Sequence, residues 1–192
     1  LAGSDAPIDH DHITGLALKD KGTLILAMAR SVHLLEHSSS ASLSTKIVQT
    51  LPTHPDPDPI LALSPSHDGT LLTVASQSAV IVHNLALGTQ TMLRGLPGPV
   101  AVCAFHVHSR VRLLLGIGYN LVIYDITRPS GPSRIASIGE GVGGRVVDVA
   151  CSPYSKTLLA VACREGYIAL VDLDKELRYV VGQVIGPSRR SN

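Results

Sequence analysis

The chain repeats itself. Leu63-Ser64-Pro65 returns as Cys151-Ser152-Pro153, and setting Pro65, His106 and Pro153 in one column places Asn84, Asp125 and Asp172 in a second, each nineteen residues further on. Leu18 and His37 fit the same ruler. The spacing of the second column is 41 residues from Asn84 to Asp125, and 47 both from His37 to Asn84 and from Asp125 to Asp172. Self-similarity at this period is the mark of stacked units, each of which buries its apolar surface only against its neighbours.

Within each unit the apolar residues fall into short runs. In the second copy these are Ile60 to Ser64, Thr70 to Ala75 and Ala79 to Asn84, with Asp68-Gly69 between the first two. Asp-Gly is a strong hairpin signal, because glycine accepts the positive φ of a tight turn. Lys21-Gly22 holds the same place in the first copy. The middle runs, Leu24 to Ala29, Leu71 to Ser76, Val111 to Ile117 and Thr157 to Cys163, are aliphatic and too short for helices. The third runs are Val32 to Leu35, Val80 to Val82, Leu121 to Tyr124 and Ile168 to Val171. Lys46 to Leu51, Thr89 to Leu93, Ser133 to Ile138 and Leu177 to Val184 supply a fourth strand for each unit. The runs do not alternate cleanly between apolar and polar, so each sheet is expected to be covered on both faces. Connections such as Pro52 to Pro59 and Gly139 to Gly144 leave no room for crossover helices. An all-β meander follows.

These units resemble the WD-repeat family of β-propellers. Leu63-Ser64-Pro65-Ser66-His67-Asp68-Gly69-Thr70-Leu71-Leu72 matches the turn of that family, and Tyr124-Asp125 and Val171-Asp172 match its terminal Trp-Asp with the Trp replaced. The chain has no Trp, and His83-Asn84 and Glu36-His37 stand where Trp-Asp would be. The resemblance spans about residues 13 to 186 and implies four blades, approximately 13–45, 46–88, 89–131 and 132–176. Residues 177–186 are then an outer strand of the next or the first blade, 1–12 an N-terminal extension and 187–192 a tail. Four blades are few for this type, and unpaired blade faces are aggregation hazards. The expectation is therefore an incomplete propeller or one completed by a partner, with a closed four-bladed ring as the alternative.

Composition limits what such a stack can do. With 45% hydrophobic and 16% charged residues the chain has the makings of a sizeable core. No run reaches the roughly 18 apolar residues of a membrane span, and Leu1-Ala2-Gly3-Ser4-Asp5 lacks a signal-peptide pattern. Cys103, Cys151 and Cys163 have no metal-binding spacing and read as reduced core residues, which favours nucleus or cytoplasm.

Candidate chemistry is sparse. Gly139-Glu140-Gly141-Val142-Gly143-Gly144 satisfies G-x-G-x-x-G, but Arg145 to Cys151 reads as a strand, whereas a dinucleotide loop must open a helix. His10 and His12, His106 and His108, and the set His54, Asp56 and Asp58 bring no third convergent ligand to a metal, and the last alternates with prolines in an extended connector. Ser64 and Ser152 belong to turns, and Cys151 lies in an apolar strand where its thiol is not activated. No enzyme activity, cofactor or metal is expected. The chain is read as a non-catalytic scaffold for protein subunits of a larger intracellular complex, with loops Pro52 to Pro59, Gly95 to Pro99, Arg128 to Ser133 and Gly139 to Gly144 as docking candidates.

Charge offers one alternative. Residues 1–93 carry four basic groups against eight acids, a net of −4, and residues 94–192 carry twelve against seven, a net of +5. Arg94, Arg110, Arg112, Arg128, Arg134 and Arg145 are thus candidate partner-binding residues, and a nucleic-acid-associated propeller is the second reading.

Overall fold

The computed structural model describes residues 13–19, 22–37, 45–53, 58–109, 111–127, 132–138, 144–174 and 177–183. They form four sheets of four strands. The first sheet contains β1 (Ile13–Leu18), β2 (Thr23–Met28), β3 (Val32–His37) and β4 (Thr45–Leu51). The second contains β5 (Ile60–Pro65), β6 (Leu71–Ser76), β7 (Val80–Asn84) and β8 (Thr89–Leu93). The third contains β9 (Val100–Phe105), β10 (Arg112–Ile117), β11 (Asn120–Asp125) and β12 (Ser133–Ile138). The fourth contains β13 (Val146–Cys151), β14 (Leu158–Cys163), β15 (Tyr167–Asp172) and β16 (Leu177–Gln183). Each is an antiparallel meander in chain order. The second, third and fourth sequence-derived units begin one strand earlier than these sheets. The strand at 177–183 pairs with β15 and completes the fourth sheet, so it belongs to neither a next nor the first blade.

Strand pairing revises one of the two columns. Leu72, Leu113, Leu159 and Leu24 are opposite Pro65, Phe105, Cys151 and Leu18. Pro65 therefore aligns with Phe105 and Cys151, not with His106 and Pro153. The residue that closes the first hairpin is Lys19, Ser66, His106 or Ser152, whose N–H donates to the carbonyl of residue 23, 71, 112 or 158. The hairpin lengthens by one residue from the first sheet to the second and again to the third, and stays at that length in the fourth, which a ruler of constant length hides. The recurring Ser-Pro is thus out of structural register.

The second column holds, with Glu36 rather than His37 as its first member. Its chemistry is local. Asn84 Oδ1 accepts from the N–H groups of Ala86 (3.1 Å) and Leu87 (3.0 Å), Asp125 Oδ1 from Thr127 (2.9 Å), and Asp172 Oδ1 from Asp174 (3.2 Å). A short carboxylate or amide bonding its own backbone two residues on starts the turn that reverses the chain into the fourth strand. The Asp68 turn is pinned likewise: Oδ1 accepts from Ser66 Oγ (2.7 Å) and from Thr70 N–H (3.1 Å), while Gly69 takes a φ of 68°.

The sheets stack through three cores. The forward face of the first sheet (Ile25, Ala27, Val32, Leu34) meets the rear face of the second (Ile60, Leu72, Val74). Ala75, Val80 and Val82 meet Val100, Cys103 and Leu113, and Leu114, Leu121 and Ile123 meet Val146, Val149 and Leu159. Leu72, Leu113 and Leu159 share one column, are fully buried, and each contributes about 2 kcal/mol by leaving water. On the rear side of the first sheet Leu26, Met28 and Leu35 form a smaller separate cluster. The first strands lie side by side, β1 on β5, β5 on β9 and β9 on β13, whereas β13 does not pack on β1 in the same way. The stack is open.

Burial on both faces, expected from the unbroken apolar runs, is found in the interior sheets, where β6 and β10 bury five residues in succession. In the equally apolar β14, burial alternates with partial exposure. Among the described residues, no sheet lies on its forward face.

Close approach depends on one small residue per sheet. A Cβ on Gly116 would lie 2.6 Å from Cγ1 of both Val102 and Val146, in its own sheet and the next. Gly116→Ala is expected to destabilise the protein by about 1–3 kcal/mol, since overpacked cores force backbone shifts. Equilibrium denaturation in urea checks this; an unchanged midpoint would contradict the tight contact.

Candidate interaction surface

Each sheet has two ends. At the turn end the first strand reverses into the second and the third into the fourth; at the crossover end the chain passes to the next sheet. Among the described residues, the turns at 66–70, 84–87 and 152–158 of the turn end are held by their own side chains. Leu87, on the loop that Asn84 ties down, is 74% exposed, and Tyr154 is 97% exposed beside Ser152, whose Oγ accepts from the N–H groups of Tyr154 (3.2 Å) and Ser155 (3.1 Å). Large apolar side chains are therefore presented to solvent on preorganised backbone. Between the second and third sheets the same end has a cleft of about 350 Å³ lined by Thr70, Asn84, Thr89, Thr91 and Thr127. A smaller one of about 190 Å³ lies between Ser66–Asp68 and Phe105–Ser109.

Two histidines are buried at this end, His106 in the wall of the smaller cleft and His83 in that of a third, of about 240 Å³, shared with Gln49 and Leu51 of the first sheet. His106 Nδ1 accepts from His108 N–H at 3.3 Å, which puts the ring proton on Nε2. That Nε2, and the Nε2 of His83, have no hydrogen-bond partner. Burial lowers the pKa of His83. Burial also lowers that of His106, assisted by the charges of Arg112 and His108 and opposed by a backbone interaction with Lys156. His108 is exposed and bonds the Ser152 carbonyl through Nε2 at 3.1 Å, tying the third turn to the fourth. The two rings are 6.0 Å apart and tilted by 56°, and their bonding serves the turns. No group of three potential metal ligands occurs among the described residues. His10, His12, His54 and Asp56 lie outside them.

The four candidate arginines among the described residues do not form one patch. Arg112 and Arg134 stand at the turn end of the third sheet, opposite Asp125 and Tyr124. Arg94 and Arg145 lie at the crossover end, where Arg94 Nε donates to Met92 Sδ (3.0 Å) and the Arg145 guanidinium sits 6.0 Å from the centroid of Tyr119. Arg110 and Arg128 lie outside the described residues, as do 54–57, 128–131 and 139–143 of the candidate loops. The strand β13 follows Gly144, and the Glu165 carboxylate accepts from Arg145 N–H at 2.7 Å. A carboxylate on that backbone donor occupies the place a phosphate would need. None of the three thiols is in a disulfide: burial pushes Cys103 up to about 12, and it also raises Cys151 and Cys163. These are packing residues.

Sequence reading passed over Leu87 and Tyr154. The signal for both was local: each follows a turn-forming Asn or Ser by two or three residues. A lone apolar residue in a turn is unremarkable until its exposure is known.

Acid should expose the strain of the two buried imidazoles. Their pKa values are lower folded than unfolded, so the unfolded chain binds more protons below the ordinary histidine range. Stability is then full above about pH 6.5 and falls as pH drops through the folded values. Thermal melts at descending pH should show this fall, and the pair His83→Gln and His106→Gln should flatten it; a wild-type profile with no slope there would refute the assignment.

Comparison with known proteins bears on the fold. No family model matches the chain, and no curated protein matches it. Among solved structures it is similar to the β-propeller domain of Myceliophteria thermophila Cps50 (Swd1), with a TM-score of 0.73 and 18% sequence identity over 92% of this chain. The chain spans 57% of that protein's length. Four meander sheets stacked in chain order are four blades of a β-propeller, and in this chain the ring does not close.

Proposed function

We propose that the chain is a non-catalytic, WD-repeat-like scaffold that holds protein subunits together in a larger intracellular complex. What carries this reading is the turn end, where Leu87 and Tyr154 are extended into water by loops whose backbone is already bonded in place. Preorganised loops lose little entropy on docking, and exposed Tyr is a frequent anchor of protein interfaces. Similarity to a propeller domain supports the platform; it says nothing of the particular complex. Three cysteines outside any disulfide support the nucleus or cytoplasm as its setting. The split of the arginines between two ends lends no weight to nucleic acid as the partner.

Native purification of the tagged chain tests the proposal. Defined protein subunits should remain bound after nuclease digestion and at about 0.5 M salt, where exposed charges are largely screened. Tyr154→Ala or Leu87→Ala should weaken binding by about tenfold or more and leave thermal stability unchanged. If the bound material is nucleic acid, lost steeply as salt rises, the second reading replaces this one.

A further inference from the structure

The fourth strand is the outer edge of each sheet, and three of the four are marked against pairing with anything beyond. β4, β12 and β16 each have a basic residue in second position, Lys46, Arg134 and Arg178, and a charge on an edge opposes the addition of another strand. β8 has Gln90 there, and its five residues, Thr89-Gln90-Thr91-Met92-Leu93, include neither a charge nor a proline. Thr89, Gln90 and Thr91 are exposed. Among the described residues no backbone group pairs with the outer edge of β8, so its outward N–H and C=O groups are open to a further strand.

Two of the clefts flank this same strand, one on each face. Thr91 pairs with Val82, and both line the cleft of about 350 Å³ toward the third sheet. Gln90 pairs with His83, and both line the cleft of about 240 Å³ toward the first sheet. Alternate side chains of a strand point to opposite faces, so a strand laid beside β8 continues both rows. Its residue opposite Thr91 stands at the larger cleft, and its residue opposite Gln90 at the other. Leu71, Val111 and Ile126 line the larger cleft together with threonines, which suits a β-branched side chain. Gln49, Pro52 and Gln90 line the other, which suits a hydroxyl or an amide. Asp68, at the turn end, is the charged residue of the larger cleft, and residues 1–93 carry a net charge of −4.

We propose that β8 takes a fifth strand: an extended segment of a partner protein, with β-branched and hydroxyl or amide side chains in alternation and a Lys or Arg where it passes Asp68. The segment runs antiparallel to β8, the better bonded of the two directions, and so passes Asp68 near its C-terminal end. Main-chain bonds supply the affinity, and the two clefts supply the selection. The proposal rests on the scaffold reading for the partner being a protein, and deepens it by naming one mode of docking and one chemistry. Only an edge is used, so no packed sheet has to open.

Panning a phage library of random hexapeptides on the purified chain is the test, followed by fluorescence polarisation of the peptides selected. They should be rich in Val, Ile and Thr, carry Lys or Arg toward the C-terminus, and lack Pro, Asp and Glu. N-methylation of one alternating set of their residues should weaken binding by about tenfold or more, because it removes the main-chain bonds to β8. The other set, whose N–H groups face water, should tolerate it. Gln90→Lys gives β8 the charge that its counterparts carry, on a side chain already exposed, and should cost about tenfold in affinity at an unchanged melting temperature. Failure to select any peptide, equal tolerance of both N-methylated sets, or indifference to Gln90→Lys would overturn the proposal. Tyr154→Ala should leave peptide binding as it is. Subunits that still dock through Tyr154 when the peptide test fails leave the scaffold reading standing, so the two failures are separate results.

Discussion

Everything in this protein depends on how closely one sheet can lie on the next. The distance is set by a small residue on each forward face, Ala27, Ala75 or Gly116, beneath the β-branched residue that opens the following sheet. At Gly116 the limit is visible: the space that a methyl would take is filled by Val102 and Val146. Interiors of this density transmit strain poorly to one side only, so each sheet orients its neighbour. The inner strands are then held in a row, and the second and third sheets are oriented from both sides.

That arrangement separates rigidity from variation. Among the described residues, backbone reversals at the turn end are bonded by Asn84, Asp125, Asp172, Asp68 and Ser152, so these turns are held by their own side chains. What the loops present is then free to differ: Leu87 in one, Tyr154 in another, His67 and His108 beside the clefts. Such a surface suits recognition of protein. Burial disfavours the charged form of both His83 and His106 beneath it, and His106 holds the backbone of its own turn through His108 N–H.

Much of this was legible in the residues. All four middle strands and all four third strands lie within a residue or two of their apolar runs, because a run of five or six aliphatic residues between turn formers has few alternatives. The Asn and Asp column was legible too, since its side chains act on their own backbone and need no partner from afar. The first hairpin was misaligned, at Pro65, His106 and Pro153, because its length varies and similar residues occupy different steps of it. For the arginines, sequence order suggested one basic half, while alternate strand ends carry them to opposite ends of the stack.

By itself the sequence determined the number of strands, their antiparallel order within each unit and the turns between them, all of which follow from interactions among residues close along the chain. Only the tertiary structure decided which apolar faces are covered. β6 and β14 are written in the same aliphatic alphabet, yet one is sealed on both sides and the other on one. Burial is a property of what lies opposite, and a strand does not encode its neighbour across the stack.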